Sequence, residues 1–435
     1  MSQSRISPTN ISLNLSEVLS DIGVNERLVQ KRRRMYLLME TLHLTFLNLN
    51  GISKLYLMYN FGSQSEGSTT LGLNSDTDIL YSYNDFNVVQ DRIEQQQGKF
   101  NLLMIQDEST SPGYCLLHKL RDNEPLPLCV LLSGHTPNTL FFKDKRGRVL
   151  LKNCLTDTTH LSLPGITSVR NGPAETVDIR LTNVSLDFVI AFPCKAWPDE
   201  AKPWLVRQGI GAWPTEETKR YCETTGCFVV PVSSKSGRNE ELEWRISTAH
   251  AERCLMFSLN ITQIRCYILM KMILKTFINP HGNGVLSSFM CKTVLFHCIQ
   301  NTHTNQWQEH NSLECLNCCL NALSDNVTQT NCPHFIIPGN NLMAGRISPP
   351  NKQKILEILQ YIIQSEGRAL LEIPIDELGL RLRVKMNTLT ENPGIRYCNS
   401  NTEVSAVISA ELLCRIARSL CLQMTTLLFS KGSKY

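Results

Sequence analysis

The sequence contains no apolar run long enough to cross a bilayer. Its most apolar stretch, Cys266 to Ile278, is short and carries Lys271 and Lys275, whereas a membrane-spanning helix needs about 20 mostly apolar residues. The first residues, "MSQSRISPTNISLNLSEVLSDIG", are polar and lack the apolar centre of a signal peptide, so the expectation is a cytoplasmic protein without a membrane partner. No internal repeat and no low-complexity segment is present, which excludes solenoid arrays and compositional linkers. A large charge of one sign is missing too. With 43 Lys and Arg against 39 Asp and Glu, the formal net charge is only +4, so any basic footprint for nucleic acid must be local. Cysteine, by contrast, is plentiful. The 17 cysteines, many in apolar helical runs such as "CKTVLFHCIQ", read as reduced, buried thiols.

At 435 residues the chain is long enough for two or three domains, or for one two-lobed unit. Residues 1–20 read as a flexible tail. Residues 21–50 read as one long helix, from leucines and methionines at three- and four-residue spacing. From 51 to about 250, short apolar runs alternate with Gly, Pro, Asn and Asp, the pattern of a mixed sheet. After Trp244 the pattern is helical. The expected fold class is therefore α+β. Residues 21–255 make a spine helix and a sheet-based lobe, and 256–435 a helical lobe, with a ligand cleft between them.

Asp76-Thr77-Asp78 stands before the apolar run "ILY". Residues i and i+2 of a strand share a face, so Asp76 and Asp78 present two carboxylates side by side. Like charges this close raise one another's pKa unless a cation sits between them, and hard Mg²⁺ or Mn²⁺ suits such a pair. A two-metal site needs a further acid on a neighbouring strand. Asp187, heading the apolar run "DFVIAF", is preferred to Asp178 in "TVDIRL", because its flanks are more apolar and a lone charge there is costlier. Upstream, Gly62-Ser63 follows "LYLMYNF". Glycine admits a phosphate close to the backbone and serine adds a hydroxyl donor. Strand, Gly-Ser turn, spacer and acid-x-acid strand is the nucleotidyltransferase arrangement.

The stretches "LDFVIAFPCKAWPDEAKPWL", "GCFVVPVSSKSGRNEELEWRISTAHAERCLM" and "SSFMCKTVLFHCI" resemble the male-abnormal twenty-one domain family, which includes cyclic GMP-AMP synthase and the cGAS-like receptors. The resemblance runs from about residue 25 to 430. It implies a bilobal nucleotidyltransferase with a long spine helix, switched on by double-stranded nucleic acid. Such an enzyme joins two NTPs, ATP and another, into a cyclic dinucleotide read by a STING-type receptor in innate immune, antiviral signalling. Gly62 and Ser63 match the family's phosphate loop, and Asp76, Asp78 and Asp187 its metal triad. Arg245, Ser247 and Glu252 match nucleotide-contacting positions, Lys271 and Ser288 phosphate-contacting ones. Phe289 stands where a base-stacking tyrosine is found. A non-catalytic, nucleotide-binding or scaffold role on the same fold is the alternative.

One departure stands out. The His/Cys-rich zinc insert of cyclic GMP-AMP synthase is missing after Glu252, where "AERCLMFSLNITQIRCY" runs on as helix. No structural zinc is expected, and double-stranded RNA is favoured over DNA as activator. Cys315, Cys318, Cys319, Cys332 and His334 could be read as metal ligands, but "LECLNCCLNAL" also reads as an amphipathic helix with cysteine as a small apolar residue. Two basic groups are candidate duplex contacts: Lys31, Arg32, Arg33 and Arg34 on the long helix, and Lys143, Lys145, Arg146 and Arg148 in a loop or hairpin. The first group wraps around its helix, so at least two of its members must face solvent.

Overall fold

Apolar residues at Ile11, Leu15, Val18 and Leu19 repeat at helical spacing, and they form a helix, α1 (Pro8–Asp21). This corrects the expectation of a flexible tail over 1–20. Leu15, Val18 and Leu19 are fully buried. The serines of α1 reach far along the chain: Ser16 Oγ meets Ser312 Oγ at 3.0 Å, and Ser12 Oγ accepts the Leu313 N–H at 3.2 Å. The long helix is accordingly shorter than 21–50. Gly23, at φ +95°, turns the chain, and Asn25 Oδ1 accepts the Leu28 N–H at 3.1 Å to start α2 (Glu26–Leu49).

The computed structural model describes residues 8–49, 56–121, 125–127, 137–154, 166–171, 174–179, 184–235, 239–282, 284–386, 405–409 and 412–413. The parts of the expected tail at 1–7 and of the expected helical lobe at 414–435 lie outside them.

Strands β1 (Tyr56–Phe61) and β2 (Thr77–Tyr83) flank a short helix, α3 (Gly62–Glu66). Then come β3 (Phe86–Val89), β4 (Phe100–Ile105), β5 (Tyr114–Lys119), the hairpin β6 (Phe141–Lys143) and β7 (Val149–Leu151), and β8 (Ile166–Asn171) with β9 (Ala174–Ile179). The longest strand, β10 (Val184–Cys194), precedes β11 (Cys227–Val230) and β12 (Glu243–Ser247). The main path is β1-β2-β10-β11-β12-β5-β4-β3. Strand β10 is parallel to β2 and antiparallel to β9 along its first part, and antiparallel to β11 at its end. The period-two alternation sends Ile79, Tyr81, Leu186 and Phe188 into one apolar cluster, and Leu80, Ala191, Phe228 and Val230 into another on the opposite face.

Helix α4 (Ala249–Phe257) leads to α5 (Ile261–Ile273), whose residues from Thr262 to Ile273 are all buried. Around α5 pack α1, α6 (Ser288–Gln300) and α7 (Ser312–Gln329), with α8 (Pro349–Gln364) against α7 and α9 (Leu378–Lys385) against α1. The sheet lobe and the helical lobe are as the α+β reading expects. Among the described residues no helix is long and apolar enough to cross a membrane, and no disulfide joins any two of the thirteen cysteines.

Candidate nucleotide and metal site

Strand alternation places Asp78 with Leu80, and Asp187 with Val189, on the face opposite Ile79 and Phe188. The parallel β2–β10 register puts Asp187 directly beside Asp78. Thr176 Oγ1 donates to Asp187 Oδ1 at 2.7 Å. Asp76 is exposed, one residue before β2. Burial pushes the Asp78 carboxyl up to about 7, and Asp187, Glu66 and Asp76 add to the push while Lys292 opposes it. An all-carboxylate donor set held at this mutual cost fits a hard divalent cation. Among the described residues, however, no three His, Cys, Asp or Glu side chains are gathered as a ready-made cage. Asp178 occupies the β9 position opposite Ser185, away from the Thr176–Asp187 pair, and its side chain lies outside the described residues.

Gly62, at φ +74°, opens α3 directly beneath this pair. A Cβ added there would lie 1.7 Å from Asp78 Oδ2, so glycine is what lets the carboxylate abut the turn. Gly62→Ala should therefore displace Asp78 and lower nucleotidyl transfer by about 10²-fold. Turnover within a factor of two of wild type, measured on the purified variant, would contradict this.

Ser63 Oγ accepts from Lys271 Nζ at 2.7 Å, which leaves its own O–H free to point into the cleft; Lys271 also donates to Ser68 O at 3.0 Å. Burial lowers the Lys271 ammonium to about 7, with Glu66 and Lys292 acting in opposite senses. The cleft between the lobes holds about 520 Å³, and Gly62, Ser63 and Asp78 form one wall. Arg245 and Ser247 line another, because their neighbours Trp244 and Ile246 fill the core on the far face of β12. Ser288 and Phe289 open α6 on the third. Lys271, Asp76 and Asp187 are not on the cleft wall, Lys271 standing behind Ser63.

Glu252 also lines the cleft. Burial alone would raise its carboxyl, but His334, Lys292 and the Thr248 hydroxyl at 3.0 Å hold it below the usual range. His334 Nδ1 accepts the Ile336 and Ile337 N–H groups at 3.1 and 3.0 Å, which turns the Nε2 side towards Glu252, 3.7 Å away. The His334 ring lies 5.5 Å from that of Phe289. Sequence reasoning missed this histidine as a cleft residue. It also missed the Glu66–Lys292 pair, bonded at 2.7 Å with both side chains buried. The signal was there: Lys292 is a lone cation in the apolar run "MCKTVLFHCI", under the same argument that picked out Asp187. Lys235 and Arg346, exposed on the rim, were missed as well.

The Mab-21 protein nucleotidyltransferase domain matches residues 138–258, and the Mab-21 protein HhH/H2TH-like domain matches residues 263–361. The chain belongs to the Mab-21 family. Asp187, Arg245, Ser247 and Glu252 of this Mab-21 chain fall in the first match, Lys271, Ser288 and Phe289 in the second. Gly62, Ser63, Asp76 and Asp78 precede both. No curated protein matches the chain.

The basic groups are only partly available on this Mab-21 protein's surface. Arg32 and Arg33 are buried, which corrects their assignment to a nucleic-acid face. Four consecutive residues sweep right around a helix, and these two point inward. Arg32 donates to Thr69 O; Arg33 donates to Glu66 O at 2.9 Å, and to Met256 O (2.8 Å) and Phe257 O (3.1 Å) at the end of α4. These are the last carbonyls of the helix, where intrahelical donors run out. Arg33→Ala should cost at least about 2 kcal/mol of stability, read from a urea midpoint. A midpoint equal to that of wild type would reverse this assignment. Arg34 is exposed, and Lys31 is half-buried, its Nζ bonded to Ser405. In the β6–β7 hairpin, Lys143, Lys145 and Arg146 are exposed, whereas Arg148 is held by Asp144 at 2.6 Å and Asp107 at 3.0 Å. Cys315, Cys319 and Cys332 are buried and Cys318 half-buried; Cys315, Cys318 and Cys319 lie on α7 among apolar neighbours.

Proposed function

We propose that this chain is a metal-dependent nucleotidyltransferase that joins two NTPs, one of them ATP, into a cyclic dinucleotide. Double-stranded nucleic acid, RNA in preference to DNA, switches it on, and a STING-type receptor reads the product. The observation that carries the reading is the packing of Asp78 on Gly62 in the wall of a cleft large enough for nucleotide, with Asp187 beside Asp78 on the next strand.

Two Mg²⁺ or Mn²⁺ ions held by Asp76, Asp78 and Asp187 would lower the pKa of an attacking ribose hydroxyl and neutralise the departing pyrophosphate. The chain's own groups bind and orient. The Ser63 hydroxyl donates to triphosphate oxygens while Lys271 fixes its rotamer and adds charge. Arg245 and Ser247 present donors from one rigid strand face, and Phe289 gives a nucleobase an aromatic surface. Holding both nucleotides at once is where most of the acceleration would come from. For the duplex, Lys31, Arg34, Lys143, Lys145 and Arg146 supply the basic surface that a shape-reading, sequence-blind contact needs.

The test is incubation of purified protein with four labelled NTPs and Mg²⁺ or Mn²⁺, with duplex RNA, duplex DNA or neither, followed by phosphatase. A phosphatase-resistant product made only with duplex RNA, and lost in Asp187→Asn, is the expected result. A ladder of linear products would overturn cyclisation. The absence of product in every condition, with NTP binding retained, would favour a nucleotide-binding scaffold.

A further inference from the structure

Between the Gly-Ser turn and the acids lies the segment 68–75. Its two ends are tied to each other, Thr69 Oγ1 meeting Ser75 Oγ at 2.7 Å, and the second is tied back to α3, Gln64 Nε2 donating to Ser75 O at 2.9 Å. Cations from elsewhere hold its carbonyls, Arg32 on Thr69 O, Lys271 on Ser68 O and Lys275 on Leu73 O. Its middle is held differently. Asp376, in the helical lobe just before α9, accepts the Thr70 hydroxyl at 2.5 Å through Oδ2 and the Gly72 N–H at 2.8 Å through Oδ1.

The backbone that presents this carboxylate is unusual. Asp376 has φ +51° and Glu377 φ +57°, two successive non-glycine residues in the left-handed region. Such strain persists only where the surroundings over-determine it. Here the Glu377 N–H donates to Pro374 O, the Gly379 N–H to Ile373 O, and Arg381 Nε to the Asp376 carbonyl at 3.2 Å. The approach is close from the other side as well. A Cβ on Gly72 would lie 2.9 Å from Asp376 Oδ1, Cγ and N. Asp376 itself is not on the cleft wall.

We infer that Asp376 is a positioning residue: a carboxylate clamp from the helical lobe that fixes residues 70–72, and through Ser75 sets where Asp76 and Asp78 stand relative to Ser63. The inference rests on the transferase reading above and assigns it a residue outside the cleft. The two lobes are thereby joined at the point that sets the distance between phosphate-binding and metal-binding groups.

The test compares the full-length wild type with Asp376→Asn, Asp376→Ala and Asp376→Gly in nucleotidyl transfer, hydrogen exchange over 68–75, and thermal midpoint. Asparagine tolerates the left-handed backbone, keeps one acceptor for Gly72 and can donate to Thr70 Oγ1, so it should stay within about threefold of wild type. Alanine and glycine should lose about 10- to 100-fold in kcat, with nucleotide KM within about threefold, because misplacement rather than binding is affected. Glycine also removes the strain, so its thermal midpoint should hold while exchange at 68–75 rises. Unchanged exchange at 68–75 in Asp376→Gly overturns the clamp, as does wild-type kcat in that variant. If the wild type transfers no nucleotide in any condition, the transferase reading has failed, and the exchange result alone decides the clamp.

Discussion

Asp78→Asn is expected to abolish nucleotidyl transfer, by at least about 10²-fold, and to make the protein more stable. Both effects come from one crowded carboxyl. Burial and the neighbouring Asp187, Glu66 and Asp76 raise it from 3.8 to about 7. Between those values the folded chain keeps a proton that the unfolded chain has released, so stability falls as pH rises, and above about pH 7 the whole penalty is present. Asparagine carries no charge and so escapes it. The variant's thermal midpoint should exceed that of wild type by several degrees at pH 8, with the difference shrinking towards zero below pH 4. Added Mn²⁺ should raise the wild-type midpoint and leave the variant nearly unmoved. A variant less stable than wild type at pH 8 would show that the acids are not in conflict, and would weaken the metal assignment with it.

Lys292→Met is expected to have the largest effect on stability. Lys292 is bonded to Glu66 at 2.7 Å, and both are buried beside Asp78. Glu66 and Tyr267 hold its ammonium above the usual range despite burial. Removing the cation leaves buried Glu66 without its ion-pair partner, and breaking a buried pair typically costs about 3–5 kcal/mol. Replacing both partners removes the stranded charge. Glu66→Gln combined with Lys292→Met should therefore recover much of the loss, and urea midpoints of the two single variants and the double variant measure the coupling. Additive losses in that cycle would mean the pair is not a unit. The double variant should fold and still transfer poorly, since the bond ties α3, with the phosphate turn, to α6, with Ser288 and Phe289.

Much of this was legible in the sequence because it follows from period and cost. Alternation in "TDILYSY" and "LDFVIAF" gave strands with acids at their heads, and the β2–β10 register brings Asp78 and Asp187 together. The helical lobe followed from its three- and four-residue spacing. Other features depended on partners far along the chain. The wrap of the basic run at 31–34 around its helix does not say which members turn inward, and Arg33 caps a helix more than 220 residues away. The N-terminal stretch is polar enough to read as a tail, yet two of its serines meet Ser312 and Leu313. Asp376 had no sequence signal, since its importance lies in a backbone conformation and in what Thr70 and Gly72 offer it.

The docking of α1 also bears on how the chain is made. Its partners, Ser312 and Leu313 on α7 and Lys385 at the end of α9, which pairs with Glu17 at 2.6 Å, lie some 300 residues or more downstream. A ribosome releases α1 first and these partners much later. The apolar side of α1, with Leu15, Val18 and Leu19, must therefore wait uncovered while the whole sheet is synthesised. The sheet lobe can close before the helical lobe, which is completed by contacts of very high sequence separation. Until α7 and α9 emerge, the nascent chain carries an exposed apolar face of the kind that favours off-pathway association.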